Sequence, residues 1–478
     1  MLIDGRLIAR SACLLVLAST AAPAAPQSGP VINAQRELTI TAVGVVDDPV
    51  RTAPGGAWHF GTLMSRLAGD VPPAQFVQQW LETNIATQVV NTLPINEPAK
   101  ALAFQAFEQA WLNGGSTLNL NQAPFRLLAI VNRPDLVKVD EGGVHSYGEL
   151  RFVFGAYWPG APLEIRTFFV IFEFDIPAAS CEEVQQWANA WHALASRAPG
   201  NAVYNSSLQA ITDAITLPHP GSGKPNGSYL KQLRTNEFEL GDSSTVWNLR
   251  EWNLISTGGP NEAQLRSVTT KQTPHFNYVK TADGRLMLRE FLDLNRAAIL
   301  AGNHVVPDIF QSSTFGNRPF QTGDANNNSF HPNPHGGGHD CCAGTLWWAP
   351  GYQGLPEQPN LTVEDAQVRH RFAAQTCSGC HFFETNTNFS MTSHRLPGQS
   401  SGLSPFLTGI TIDDPVAPQA LDVPGGTLVP VRHSFADLDH RASVLQRMLL
   451  MHCAPLVGEP SPEEVLGELQ AEMGTRVH

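Results

Sequence analysis

The sequence predicts an α+β body built around a mostly antiparallel sheet, followed by a mainly α-helical C-terminal region; three observations carry that expectation. Runs of strand length rich in aromatic and β-branched residues fall in the middle of the chain, at Phe125–Val131, Glu149–Ala156 and Ile165–Phe174. Segments with apolar residues at helical spacing interleave with those runs. A long polar stretch rich in glycine and proline, from Phe310 to Gly351, then separates this body from a final third that reads as helices and loops.

The first residues read as a secretory leader: Arg6 and Arg10, an apolar Ala12–Ala18, then small residues around Ala22–Ala25 for cleavage. That apolar core is too short to span a bilayer comfortably. After a linker at Gln27–Pro30, Glu37–Val43 alternates as a half-buried strand does. Helices are expected over Pro73–Val90 and from an Asn96 cap with Pro98 in the first turn to a stop at Gly114, the second turning Phe104, Phe107 and Trp111 inward. The strand at Ile165–Phe174 is nearly continuously apolar, as one covered on both faces would be. Ser180 and Glu183 form a capping box for a helix with Val184, Trp187, Trp191 and Leu194 on one stripe. Trp247–Ile255 reads as another strand, and Arg285–Ala301 as a helix facing inward through Leu288, Phe291, Leu292 and Ile299. Helical pattern resumes at Thr362, and a last helix runs from Asp437 to His452 with Leu438, Ala442, Leu445 and Leu449 inward. The expected division is a leader over 1–25, an α+β body over 26–310, a Gly/His-rich connector over 311–360 and a C-terminal domain over 361–478.

Charge limits the partners. A formal net charge of −13 argues against broad nucleic-acid binding, which needs a basic footprint. No stretch beyond the leader is long and apolar enough for a membrane span, so the mature chain is expected to be periplasmic or secreted without one.

The stretch that carries chemistry is Cys377-Ser378-Gly379-Cys380-His381. Two thiols three positions apart, followed at once by histidine, is the attachment pattern for a c-type haem. Here the chain resembles the c-type cytochromes, over these five residues and a compatible surround of the C-terminal region. With Arg151–Gly155 and Phe389–Gly409, it is also similar to large secreted bacterial proteins with a single such motif, to which no activity is assigned. The resemblance implies a cytochrome c-like C-terminal domain, thioether links from Cys377 and Cys380 to the porphyrin, and His381 as the proximal iron ligand. Export agrees with it, because covalent haem attachment in bacteria takes place outside the cytoplasm. Cys181, Cys341, Cys342 and Cys453 remain for disulfides whose pairing spacing does not decide.

The sixth iron position has Met391 as its first candidate, with Met448, Met451, His394, His433 and His440 as others. An iron without a strong distal ligand would be open to small ligands or peroxide. His331, His335 and His339, four residues apart in a glycine-rich stretch, are candidates for a second transition metal or for a distal histidine. Asn132-Arg133-Pro134-Asp135 reads as a turn with an Arg–Asp pair, and Asp47-Asp48 as turn residues. The leading expectation is a monohaem electron-transfer protein serving a redox partner protein or a small-molecule substrate. The alternatives are a non-redox secreted binding or surface protein whose CxxC is a disulfide, and a haem-dependent oxidoreductase with an open iron.

Overall fold

The computed structural model describes residues 29–473, apart from 96–97, 141–142, 238–246, 260–261, 327–362, 378, 388–389, 414–431 and 455–459. Its centre is an eight-stranded sheet in which every described pairing is antiparallel. The strands are β1 (Thr39–Ile40), β2 (Phe125–Asp140), β3 (Gly143–Trp158), β4 (Ala161–Pro177), β5 (Leu230–Glu237), β6 (Asn248–Ser256), β7 (Ala263–Val268) and β8 (Asp324–Asn326). The first six lie side by side in chain order, and β7 and β8 both pair with β6. The expected α+β class with a mostly antiparallel sheet is therefore the observed one.

Period-two alternation gives the sheet two different faces. Phe152, Phe154, Phe168, Val170, Phe172 and Phe174 point into the main core, which α1 (Phe60–Ala68), α2 (Pro73–Ile85), α3 (Pro98–Leu112), α4 (Cys181–Ala193) and α5 (Ala202–Thr216) complete. Phe60 stacks on Phe125 with ring centroids 4.1 Å apart. The opposite face carries Val131, Val153, Phe169 and Ile171 in a smaller buried cluster. Burial on both faces is why β4 reads as a continuous apolar run.

The last helices belong to the same core. Leu438, Val444, Leu445 and Met448 of α8 (Asp437–Leu450) and Leu466 and Leu469 of α9 (Pro462–Met473) are buried with the β2–β4 side chains. A disulfide between Cys181 and Cys453 ties the start of α4 to the chain just after α8, across 272 residues. α6 (Ala282–Leu294) and α7 (Val363–Ala374) share a second cluster through Leu288, Phe291, Val368 and Phe372.

Several elements depart from the sequence reading. Glu37–Val43 contains only the two-residue β1, flanked by helical turns at Ala34–Glu37 and Val43–Val46. Glu37 is fully buried, and its carboxylate accepts from the Asn33 amide (2.6 Å) and meets His192 Nδ1 (2.8 Å), contacts that hold the chain in a turn. The helix from Pro73 stops at Ile85, because Asn91 and Thr92 at φ 50° and 64° turn Gln88–Val90 back on Leu93–Ile95 as a hairpin. The helix expected over Arg285–Ala301 breaks at Asn295, whose side-chain amide donates to the Phe291 carbonyl at 2.8 Å. The polar stretch after Phe310 contains β8 and a short hairpin of Ile309–Ser312 with Gly316–Pro319.

A candidate haem-attachment site on the outer face of the sheet

α7 runs into the motif, and the chain then tightens into a π-turn over Gly379–Phe383. The Cys380 amide donates to Thr376 O (3.0 Å), and the Glu384 amide to Gly379 O (2.9 Å). Glycine between the cysteines is explained here by packing: a Cβ on Gly379 would lie 1.8 Å from the Ala373 carbonyl oxygen. Gly379→Ala is accordingly expected to force the turn off α7 and to cost about 1–3 kcal/mol or more, read as a lower denaturant midpoint with an unchanged slope.

Three side chains fix the turn from below. Glu384 is fully buried and accepts from both terminal nitrogens of Arg369, while its Oε2 lies 2.8 Å from His370 Nδ1. Burial alone would raise the Glu384 carboxyl, but Arg369 and His370 outweigh it and hold the group below the usual glutamate range. This Arg369–Glu384–His370 cluster has no local signature, because the residues meet only once the π-turn folds back on α7.

Cys377 and Cys380 are buried thiols, not joined to each other. Cys377 lies with Trp247, Leu249 and Ala325, and its backbone amide donates to Thr273 Oγ1 at 3.0 Å. Burial pushes its thiol up to about 12. A redox-active dithiol needs the opposite, a lowered thiol.

His381 is 5% exposed, with its ring 5.3 Å from that of Trp247, whose indole N–H donates to Asn236 Oδ1. His381 and Met391 line one cavity of about 70 Å³, whose floor is the outer sheet face: Val131, Val153, Phe169, Ile171 and Leu249. Met391 reaches this position on a loop that doubles back, with Ser404 N donating to Met391 O (2.9 Å) and Thr392 bridged to Leu403. The loop is pinned by Arg395, which donates to Leu127 O (2.7 Å), Val46 O (2.8 Å) and Asp47 Oδ1 (2.7 Å). Beside it, His394 packs on Phe169 (4.0 Å) and over Gly155, where a Cβ would come within 2.7 Å of the imidazole. Gly155 of β3 and His394 of the Met391 loop thus meet across the sheet face. Asp47 stands in a turn, as read from sequence, and also anchors the loop.

The same face is also charged, for Arg151 stands directly across from Val131 and Arg234 from Ile171, and Arg133 and Arg441 line the cavity too. Arg133 holds Asp135 through a bidentate pair (2.6–3.1 Å), and Arg441 reaches the same carboxylate at 3.8 Å. Arg151 bridges Glu149 (2.6 Å) and Glu173 (3.2 Å), and Arg234 bridges Glu173 (3.6 Å) and Glu251 (3.0 Å). The expected Arg133–Asp135 pair is present, but inside β2 at a register shift rather than in a turn. Asp135 is raised by burial and lowered further by Arg133 and Arg441, to about 2. These arginines are already matched by carboxylates, so the row is a buried ion ladder supporting the cavity.

Of the other distal candidates, Met448 and Met451 are packed in the main core. His394 faces Phe169, and burial depresses its imidazole to about 4. His433 stacks on His370 with centroids 3.4 Å apart and, with His440 and Cys380, lines a separate cleft of about 500 Å³. Phe406 lines both the cleft and the cavity. His331, His335, His339, Cys341 and Cys342 lie outside the described residues. Among the described residues no group of three or more histidine, cysteine or acidic side chains is arranged to hold a metal ion. A haem iron asks for less, since the porphyrin supplies four ligands and the protein only the axial ones. Two unjoined thiols, a buried imidazole and a thioether sharing its cavity, against an apolar floor, fit that donor set. The 70 Å³ cavity is far smaller than a macrocycle.

Comparison with protein-family models, curated proteins and solved structures finds no match to this chain. No helix among the described residues is long and apolar enough to cross a membrane.

Proposed function

We propose that this chain is an exported monohaem c-type redox protein, periplasmic or secreted. It would carry its haem on Cys377 and Cys380, with His381 as proximal ligand and Met391 as distal ligand. The observation that carries the reading is that His381 and Met391, ten residues apart across a loop, line the same cavity over a buried apolar wall. A haem bound there supplies a one-electron iron couple. The chain's own part is to hold the donors and keep water out. The Arg369–Glu384–His370 cluster fixes the turn bearing His381, and Arg395 holds the loop bearing Met391 against β2. The apolar side chains and the ion ladder beside them together set the local polarity around the iron, one of the levers on reduction potential. A redox partner protein or small-molecule substrate would exchange the electron.

The test is a pyridine haemochrome spectrum with intact mass, on protein exported by a host with a cytochrome c maturation system. The expected result is a c-type band and a mass gain of one haem, both lost in the Cys377→Ser/Cys380→Ser variant. A colourless protein with Cys377 and Cys380 disulfide-bonded would overturn the reading in favour of a non-redox binding or surface protein.

The cleft of about 500 Å³ beside Cys380 favours a second reading, a haem-dependent oxidoreductase with an open iron. Met391→Leu separates the two. A carrier is expected to lose its methionine-ligand absorption and to fall in potential, whereas a protein with an open site keeps both its spectrum and its potential.

A further inference from the structure

The cleft beside the motif has a chemistry that electron transfer does not require. Its walls come from the end of α7, the strand Arg432–Phe435 and the start of α8. Arg371, Arg432, His370 and His433 face it against one carboxylate, Asp437, which is itself buried and paired with Arg441 at 2.5 Å. In a chain with 43 acidic against 30 basic residues, this is a local reversal of sign. The pair of Arg432 with Asp413 (3.1 Å) is exposed on both sides and competes only weakly for the guanidinium. The remaining wall is aromatic, with the Phe406 and Phe435 rings 5.5 Å apart. An apolar wall with a few convergent polar groups in a space of 300–1,000 Å³ is the usual make-up of a small-molecule site.

We propose that this cleft binds a small organic carboxylate, with its anionic end on Arg371 and Arg432 and its apolar body against Phe406 and Phe435. Guanidinium recognises carboxylate through two parallel N–H donors, so a neutral amide of the same shape is rejected. The proposal stands apart from haem attachment, and the test keeps the two separate.

Calorimetric titration with benzoate and with benzamide, on the exported full chain and on its Cys377→Ser/Cys380→Ser variant, reads it directly. Benzoate is expected to bind both proteins and benzamide neither. Arg371→Gln/Arg432→Gln should weaken benzoate about tenfold or more. Both arginines are exposed, so the melting temperature should not move. Equal binding of benzoate and benzamide, or full affinity in the arginine variant, would overturn the proposal. Binding confined to the variant without thiols would also overturn it, assigning the cleft to the carboxylates of an attached porphyrin. Benzoate binding to a protein that gives no haemochrome would sustain this site while ending the redox reading.

Discussion

Glu384→Gln is expected to destabilise the protein by about 3–5 kcal/mol, the usual loss when one partner of a buried ion pair is removed. Arg369 is 1% exposed and keeps its charge when the carboxylate goes, so the loss is chiefly that of the charge compensation Glu384 gives a buried guanidinium. His370 Nδ1 and the guanidinium are left with one acceptor oxygen in place of two. Denaturant unfolding followed by tryptophan fluorescence measures the effect. The double variant Arg369→Gln/Glu384→Gln should recover a large part of it, because the buried guanidinium charge is then removed with the carboxylate. A double variant as unstable as the sum of the singles would show that the two side chains act independently. The pH dependence has a definite sign. Glu384 titrates below the usual glutamate range when folded, so its contribution is fully present above the unfolded pKa of about 4.3 and is lost as pH falls through the folded value. Native protein is therefore expected to lose stability on acidification below about pH 4 more steeply than the double variant.

Replacing Cys181 and Cys453 together by serine is expected to cost near the upper end of about 2–5 kcal/mol, because the bridge closes a loop of 272 residues in the unfolded chain. The bond joins two parts of one core, the start of α4 and the segment after α8, and the Gln185 side chain also donates to Met451 O there. Unfolding without the bridge should release α8 early, since its other ties are core contacts and ion pairs such as Arg441 with Asp135 of β2. Hydrogen exchange with and without reductant checks both parts of this. Uniform loss of protection across α7 and α8 would argue that the bridge acts only on global stability.

The sequence by itself determined the local elements and the chemistry that is local. Composition and periodicity placed β2, β3 and β4, the inward stripe of α3 and the start of α4, because side-chain repeat and strand or helix geometry are the same short-range property. The CxxCH stood out for the same reason: its meaning is carried by a spacing of three residues. Less legible were β5, β7 and β8, where strand pairing stabilises segments whose own pattern is polar, as in Leu230–Glu237 with Lys231, Gln232, Arg234 and Asn236.

Tertiary structure alone decided what surrounds the motif. Trp247 beside His381, Glu384 beneath the turn, Arg395 reaching back to β2 and Met391 sharing a cavity with His381 all join residues between 10 and 268 positions apart. Such contacts follow from which sheet face the last third of the chain covers, and no window of sequence contains that information. The disulfide partner of Cys181 was undetermined on the same ground. Four cysteines allow several pairings by count, and only the packing of α8 against the β2–α4 side of the core brings Cys453 within 5.5 Å, Cα to Cα.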